Sequence, residues 1–104
     1  MMAAVAQGDI WWAESELGRR PVLVVTRNEA IAVLNKVVVA PITRTVRDIP
    51  TEVPLDADDG LPHRSAASFD NLRVVAKAHL TERVASIAHR RSEICAALAA
   101  MADW

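Results

Sequence analysis

Two apolar runs constrain this chain more than anything else in it: Pro21-Val22-Leu23-Val24-Val25-Thr26 and Val37-Val38-Val39-Ala40-Pro41-Ile42-Thr43. Short blocks rich in β-branched residues fit the pleated, half-buried surface of a sheet and pack poorly around a helix. Gly18-Arg19-Arg20 precedes the first run, and Arg44-Thr45-Val46-Arg47 follows the second. Each block therefore reads as a buried strand with polar, chemically capable groups at one end, which is a scaffold presenting a site.

The rest of the chain extends this pattern. Ile10 to Ala13 reads as a first strand, Pro21 to Thr26 as a second and Lys36 to Thr43 as a third, with a turn or short helix over Asn28 to Asn35. Pro41 cannot donate to a ladder, so an edge, bulge or break is expected there. Thr51 to Leu55 alternates polar and apolar residues as a fourth strand, and Asp56-Ala57-Asp58-Asp59-Gly60-Leu61-Pro62 is a loop by composition. Ser65 to Phe69 and Leu72 to Ala76 follow as two strands, or as one strand bent at Asp70-Asn71, and Arg83 to Ile87 is a short final strand. The period then changes: Ile94, Leu98 and Met101 recur at helical spacing, predicting a helix over Arg90 to Met101. Short strands followed by one helix predict a mainly β fold with α, a small barrel carrying a C-terminal helix. One domain is expected over residues 1–104, with 1–7 as a loose N-terminal extension, and a chain this short leaves room for an oligomer interface to add stability.

A net charge of -1 gives no support for a polyanion partner, but its distribution does. From Arg19 to Arg47 there are six basic residues and one acid, and from Asp48 to Asp59 five acids and no base. The basic excess coincides with the two strand motifs, an arrangement suited either to a polyanion groove or to solvated strand ends. No charged segment followed by a long apolar stretch marks a signal or a membrane span, and the single Cys95 has no intrachain partner, so a cytoplasmic protein with no membrane association is expected. Cys95 itself reads as a small buried residue of the Ala-rich helix. Trp11 and Trp12 are adjacent and must face opposite sides of a strand. One belongs to a core or interface, and the other is available for base stacking or partner contact. His63, His79 and His89 show no metal-ligand spacing with a carboxylate or Cys95, so no metal and no cofactor is expected.

The ordered set Gly8-Asp9-Ile10-Trp11-Trp12, Gly18-Arg19-Arg20-Pro21, the run ending Pro41-Ile42-Thr43-Arg44-Thr45, Asp59-Gly60-Leu61-Pro62, Ser65 and Asp70-Asn71 resembles the MazF/PemK family of toxin endoribonucleases. That resemblance implies an SH3-like β-barrel paired as a homodimer, and a sequence-selective, metal-independent cleavage of single-stranded RNA to 2′,3′-cyclic phosphate and 5′-hydroxyl ends. It implies a cognate, MazE-like antitoxin from an upstream gene. It also places the chemistry on Arg20, before the proline of the second strand, and on Thr43, which closes the third. A guanidinium stays protonated at ordinary pH, so Arg20 is expected to stabilise charge on the scissile phosphate, with Thr43 donating a hydroxyl hydrogen bond to a non-bridging oxygen. Arg19, Arg44, Thr45 and Arg47 are the candidate phosphate contacts. Asp70 and Asn71 match the family's acid–amide pair placed against the bases, although such a pair also suits a simple turn. Ser65 is expected to make a structural hydrogen bond. The chain departs from the family in its short Ala13–Gly18 connection and in Ala66-Ala67-Ser68-Phe69. CcdB, a barrel toxin that inhibits DNA gyrase by binding without catalysis, is the alternative; Trp104 resembles its terminal aromatic.

Overall fold

The computed structural model describes residues 4–16 and 18–102; Trp104 lies outside them. Seven strands, β1 (Asp9–Ser15), β2 (Gly18–Val24), β3 (Lys36–Thr43), β4 (Glu52–Leu55), β5 (Ser65–Ser68), β6 (Arg73–Ala76) and β7 (Leu80–Ser86), form one curled antiparallel sheet. Hydrogen-bonded order is β4-β5-β3-β2-β1-β7, with β6 also pairing β3. Helix α1 (Asn28–Ile31) links β2 to β3, and α2 (Arg91–Ala102) ends the described chain.

The third strand occupies its expected bounds and organises the sheet. One flank pairs β2 through Val22–Val24; the other pairs β6 through Lys36–Val39 and then β5 through Ile42 and Thr43. Pro41 does not break the strand, since it stays in register with Val22. It falls where the partner on the other flank changes from β6 to β5, so its missing N–H interrupts no ladder there. Strands β1, β2 and β7 are longer than the apolar pattern suggests. Their added residues, Glu14, Arg19 and Glu82 among them, form exposed ion pairs rather than core contacts.

Alternation along these strands separates two apolar clusters, one on each face of the sheet. The larger holds Ile10, Leu23, Ala40, Val53, Leu55, Phe69 and Ile87 and is covered by Ile94 and Ala97 of α2, with Leu98 and Met101 beside them. Cys95 is exposed rather than buried, because the inward stripe of α2 runs through Ile94 and Ala97. The smaller cluster holds Trp11, Ala13, Val22, Val24, Val37 and Val39. Trp11 is therefore the buried tryptophan, its indole N–H donating to Asp9 Oδ2 at 3.2 Å, while Trp12 carries the Arg19 guanidinium 4.8 Å above its ring.

Strands β4 and β7 are not bonded to each other, and α2 packs against β4 at that gap. Arg90 fastens it. Its guanidinium donates to Asp59 Oδ1 at 3.1 Å, to the Pro54 carbonyl at 2.8 Å and to both Glu93 carboxylate oxygens. The Arg90 hydrogen bond holds the Glu93 carboxyl below the ordinary carboxylate range, and the reciprocal bond raises the guanidinium further.

The N-terminal segment is anchored from Val5 onward rather than loose. Val5 packs on the smaller cluster, Ala6 N–H donates to Asp9 Oδ2, and Gln7 binds Asn28 Oδ1 and the Val25 carbonyl. Gly8 has φ +89°, and a Cβ there would meet Ala88 Cα at 2.9 Å, so only glycine permits this entry into β1.

Candidate active site

Register brings Arg20 and Thr43 together. The β2–β3 ladder ends at Val22 and Pro41, and two residues further the same alignment sets Arg20 opposite Thr43 with no backbone pairing between them. On its other side Arg20 pairs Ala13 of β1, Thr43 pairs Ala66 of β5, and Ala66 pairs Pro54 of β4. Directly opposed residues share a face. Arg20, Thr43, Ala66 and Pro54 therefore form one row across the sheet, at the rim of the Trp11 cluster.

Arg20 is exposed and has no ion-pair or hydrogen-bond partner among the described residues, so its five donors are open to a ligand. Thr43 is half-buried, and its Oγ1 accepts the Thr45 N–H at 3.1 Å. That bond engages one of the two Oγ1 lone pairs and leaves the hydroxyl proton available as a donor. A guanidinium and a hydroxyl donor facing each other across an unzipped strand end make a site for a tetrahedral anion.

The remaining expected residues divide. Arg44 and Thr45 are exposed on the loop leaving Thr43 and lie beside the row. Arg47 is engaged by Glu52 while staying half exposed: its N–H donates to Glu52 Oε1 at 2.9 Å and its Nε stands 3.4 Å from Glu52 Oε2. Arg19 is not brought into the site. It lies on the opposite face from Arg20, paired with Glu14 and Glu82 and stacked on Trp12. Asp70 and Asn71 occupy a 3₁₀ turn, where Asp70 Oδ2 accepts the Thr51 hydroxyl at 2.6 Å and Asn71 Nδ2 donates to Ser68 Oγ at 2.9 Å. Both remain exposed. Ser65 donates to the His63 carbonyl. Among the described residues no group of three or more His, Cys, Asp or Glu is placed to hold a metal ion.

Sequence reasoning missed Glu52. Within Thr51-Glu52-Val53-Pro54-Leu55 it reads as the outward residue of an alternating strand, yet its side chain is 2% exposed. The loop carrying Val46, Asp48 and Ile49 folds over β4, and with Glu52, Pro54 and Ala66 it lines an open depression of about 230 Å³, Ala66 being the residue that pairs Thr43. Asp48 shapes this loop with φ +53°, a left-handed conformation that aspartate tolerates better than most residues, and it is paired with Arg64.

This geometry has counterparts in known proteins. Residues 6–102 match the family described as PemK-like, MazF-like toxin of type II toxin-antitoxin system. A protein of Mycobacterium tuberculosis named probable endoribonuclease MazF5 is 42% identical over 106 residues, covering 99% of this chain and 97% of that relative. Among solved structures, the Mycobacterium tuberculosis toxin MazF-mt6 superposes with a TM-score of 0.82 at 35% identity, over 91% of this chain and 96% of that one. A mycobacterial endoribonuclease in complex with its cognate antitoxin superposes with a TM-score of 0.83 at 26% identity, over 96% of each chain. With nearly its whole length matched and the fold shared, the chain belongs to the PemK-like, MazF-like toxin family of type II toxin–antitoxin systems.

Proposed function

We propose that this chain is the toxin of a type II toxin–antitoxin pair and an endoribonuclease that cuts single-stranded RNA without a metal. The observation that carries the reading is the unzipped end of β2 and β3, where Arg20 faces Thr43, in a chain whose near-full-length relative is named an endoribonuclease. Non-enzymatic gyrase inhibition is not favoured, since the family match is to PemK and MazF toxins.

In this reaction the RNA's own 2′-oxygen attacks the adjacent phosphorus and the P–O5′ bond breaks, leaving a 2′,3′-cyclic phosphate and a 5′-hydroxyl. The 2′ proton is lost to solvent and the departing 5′ oxygen takes one up. Negative charge builds on the equatorial phosphoryl oxygens in between. Arg20 supplies a forked cation to those oxygens and Thr43 a hydroxyl donor from the opposite strand, both fixed before substrate arrives. Arg44 and Thr45 meet a flanking phosphate, and Asp70 and Asn71 a base, with the hydrogen-bonding capacity their turn leaves unused. The active unit is a cytoplasmic homodimer held inactive by a cognate antitoxin. This agrees with the antitoxin complex of the mycobacterial neighbour and with the absence, among the described residues, of a helix long and apolar enough to cross a membrane.

The test is incubation of purified protein with mixed single-stranded RNA in EDTA, mapping new 5′-hydroxyl ends. A parallel substrate carries a single 2′-deoxy substitution at the cut. Cleavage in EDTA and a deoxy substrate that binds uncut are expected. Cutting of the deoxy substrate would require water as nucleophile and would overturn the mechanism.

A further inference from the structure

We propose that Glu52 is a specificity-determining residue: its Oε2 accepts a hydrogen bond from the exocyclic amine of one RNA base seated beside the cut, and so selects against uracil there. This rests on the endoribonuclease reading above and assigns a substrate feature to a residue that neither the catalytic row nor the phosphate contacts include.

Three observations converge on it. The Glu52 side chain is 98% withdrawn from solvent, but only one of its oxygens is hydrogen-bonded: Oε1 accepts the Arg47 N–H, whereas Oε2 has no hydrogen-bond partner. The one cation near Oε2, Arg47 Nε, stands at 3.4 Å without hydrogen-bond geometry, and that guanidinium is half exposed. A buried acceptor without a protein partner is costly to fold unless another group supplies its hydrogen bond, and a bound base is one such group. The hydrogen bond that anchors the loop uses Oε1, and Oε2 faces the Arg47 guanidinium only at ion-pair distance, with its hydrogen-bonding capacity unused.

Second, Glu52 opens onto the depression formed with Val46, Asp48, Ile49, Pro54 and Ala66. Its volume of about 230 Å³ falls below the ~300 Å³ at which drug-sized pockets begin and suits one planar ring system. Its walls are apolar apart from two carboxylates. A phosphate is excluded by that charge, while a base enters with its ring against the apolar walls and its edge toward the carboxylate.

Third, the depression is continuous with the catalytic row, because Ala66 pairs Thr43 on one side and Pro54 on the other. A nucleotide whose phosphate lies between Arg20 and Thr43 therefore places a neighbouring base at Glu52. Adenine, cytosine and guanine each offer an exocyclic amine to a carboxylate. Uracil offers two carbonyls flanking one N–H and sets at least one of them against the acid.

The experiment compares the wild-type chain with Glu52→Gln, which keeps a carbonyl for the Arg47 N–H and replaces the free acceptor with a donor. Cleavage sites on a randomised single-stranded RNA pool are mapped for both. In parallel, binding of short homopolymers of A, C and U is measured, with unfolding midpoints as a fold control. The wild type should disfavour U by about tenfold at one position next to the cut, and Glu52→Gln should abolish or invert that bias there alone. The homopolymer ranking should change in the same sense. An unchanged bias, or an equal loss on every base, would overturn the proposal and leave Glu52 as a loop anchor. If the wild type cut no RNA, the endoribonuclease reading would fail, and the homopolymer ranking would still decide what Glu52 recognises.

Discussion

Adjacent arginines with opposite engagements give the sharpest test of the site. Arg19 and Arg20 differ by one position in β2, yet alternation sends them to opposite faces. Arg19→Ala removes ion pairs to Glu14 and Glu82, whose side chains are 50% and 63% exposed, together with the cation–π contact to Trp12. Exposed pairs contribute about 0–1 kcal/mol and an exposed cation–π contact about 0.5–1 kcal/mol. A loss of about 1 kcal/mol is expected, lowering the unfolding midpoint by roughly 4–8 °C in a domain of this size, with turnover within a few-fold of wild type. Arg20→Ala removes no interaction among the described residues, so its stability should stay within about 0.5 kcal/mol of wild type. Its cost falls on the transition state instead: removing one preorganised donor to a developing oxyanion costs about 2.7–4 kcal/mol, or 10²–10³ in kcat. Arg20→Lys should recover little, since a point charge lacks the fork. A quenched oligonucleotide gives kcat and KM, and differential scanning fluorimetry gives the midpoints. Near-native turnover in Arg20→Ala, or a collapse of turnover in both variants alike, would refute the assignment.

Gly8→Ala should destabilise by roughly 2–3 kcal/mol in chemical denaturation, from the left-handed backbone and the close approach of Ala88 together. Arg90→Ala should cost about 2–3 kcal/mol, because Asp59, only 10% exposed, and the Pro54 carbonyl lose their shared partner. The same variant should show a shallower acid limb in the Tm–pH profile. Glu93 is depressed in the folded state by Arg90, so its contribution is present above the unfolded carboxyl value of about 4.3 and is lost as pH falls through the folded one. Thr43→Ala should bind RNA without cutting it, and the RNA should compete with the cognate antitoxin. Simultaneous binding of both at unchanged affinity in a fluorescence anisotropy titration would place inhibition elsewhere.

The sheet was legible where apolar alternation carries it. β3 lies at its expected bounds because Val37 and Val39 pack on one face while Ala40 and the half-buried Val38 pack on the other. Boundaries drifted where polar residues extend a strand by pairing across the surface, as Glu14, Arg19 and Glu82 do. Arg20 and Thr43 were singled out only through the family resemblance, and that they oppose each other is a matter of register, which no single strand contains. Glu52 was not reachable. Its alternation assigns it to one face of β4, and only the fold of the 46–50 loop makes that face an interior. Cys95, by contrast, was misassigned although the Ile94–Leu98–Met101 stripe already places Ala97, three residues from Ile94, on the inward face and Cys95 off it.

One property of the fold explains why the site lies where it does and why a net charge of -1 does not oppose it. β2 and β3 pair only as far as Val22 and Pro41; beyond that point β2 continues as a ribbon with β1, while β3 turns to β5. Two strands that part while each stays paired on its other flank leave an opening whose occupation breaks no backbone hydrogen bond. Four of the five acids from Asp48 to Asp59 are engaged locally. Glu52 and Asp48 hold Arg47 and Arg64, Asp56 and Asp59 cap the 3₁₀ turn Ala57–Asp59, and Asp59 also holds Arg90. Arg20 and Arg44, both beside the parted strands, are among the cations without acidic partners in the described residues. The formal balance of the chain thus averages over acids absorbed into turns and cations left unpaired, Arg20 and Arg44 among them, and the local field at the parted strands favours an anion.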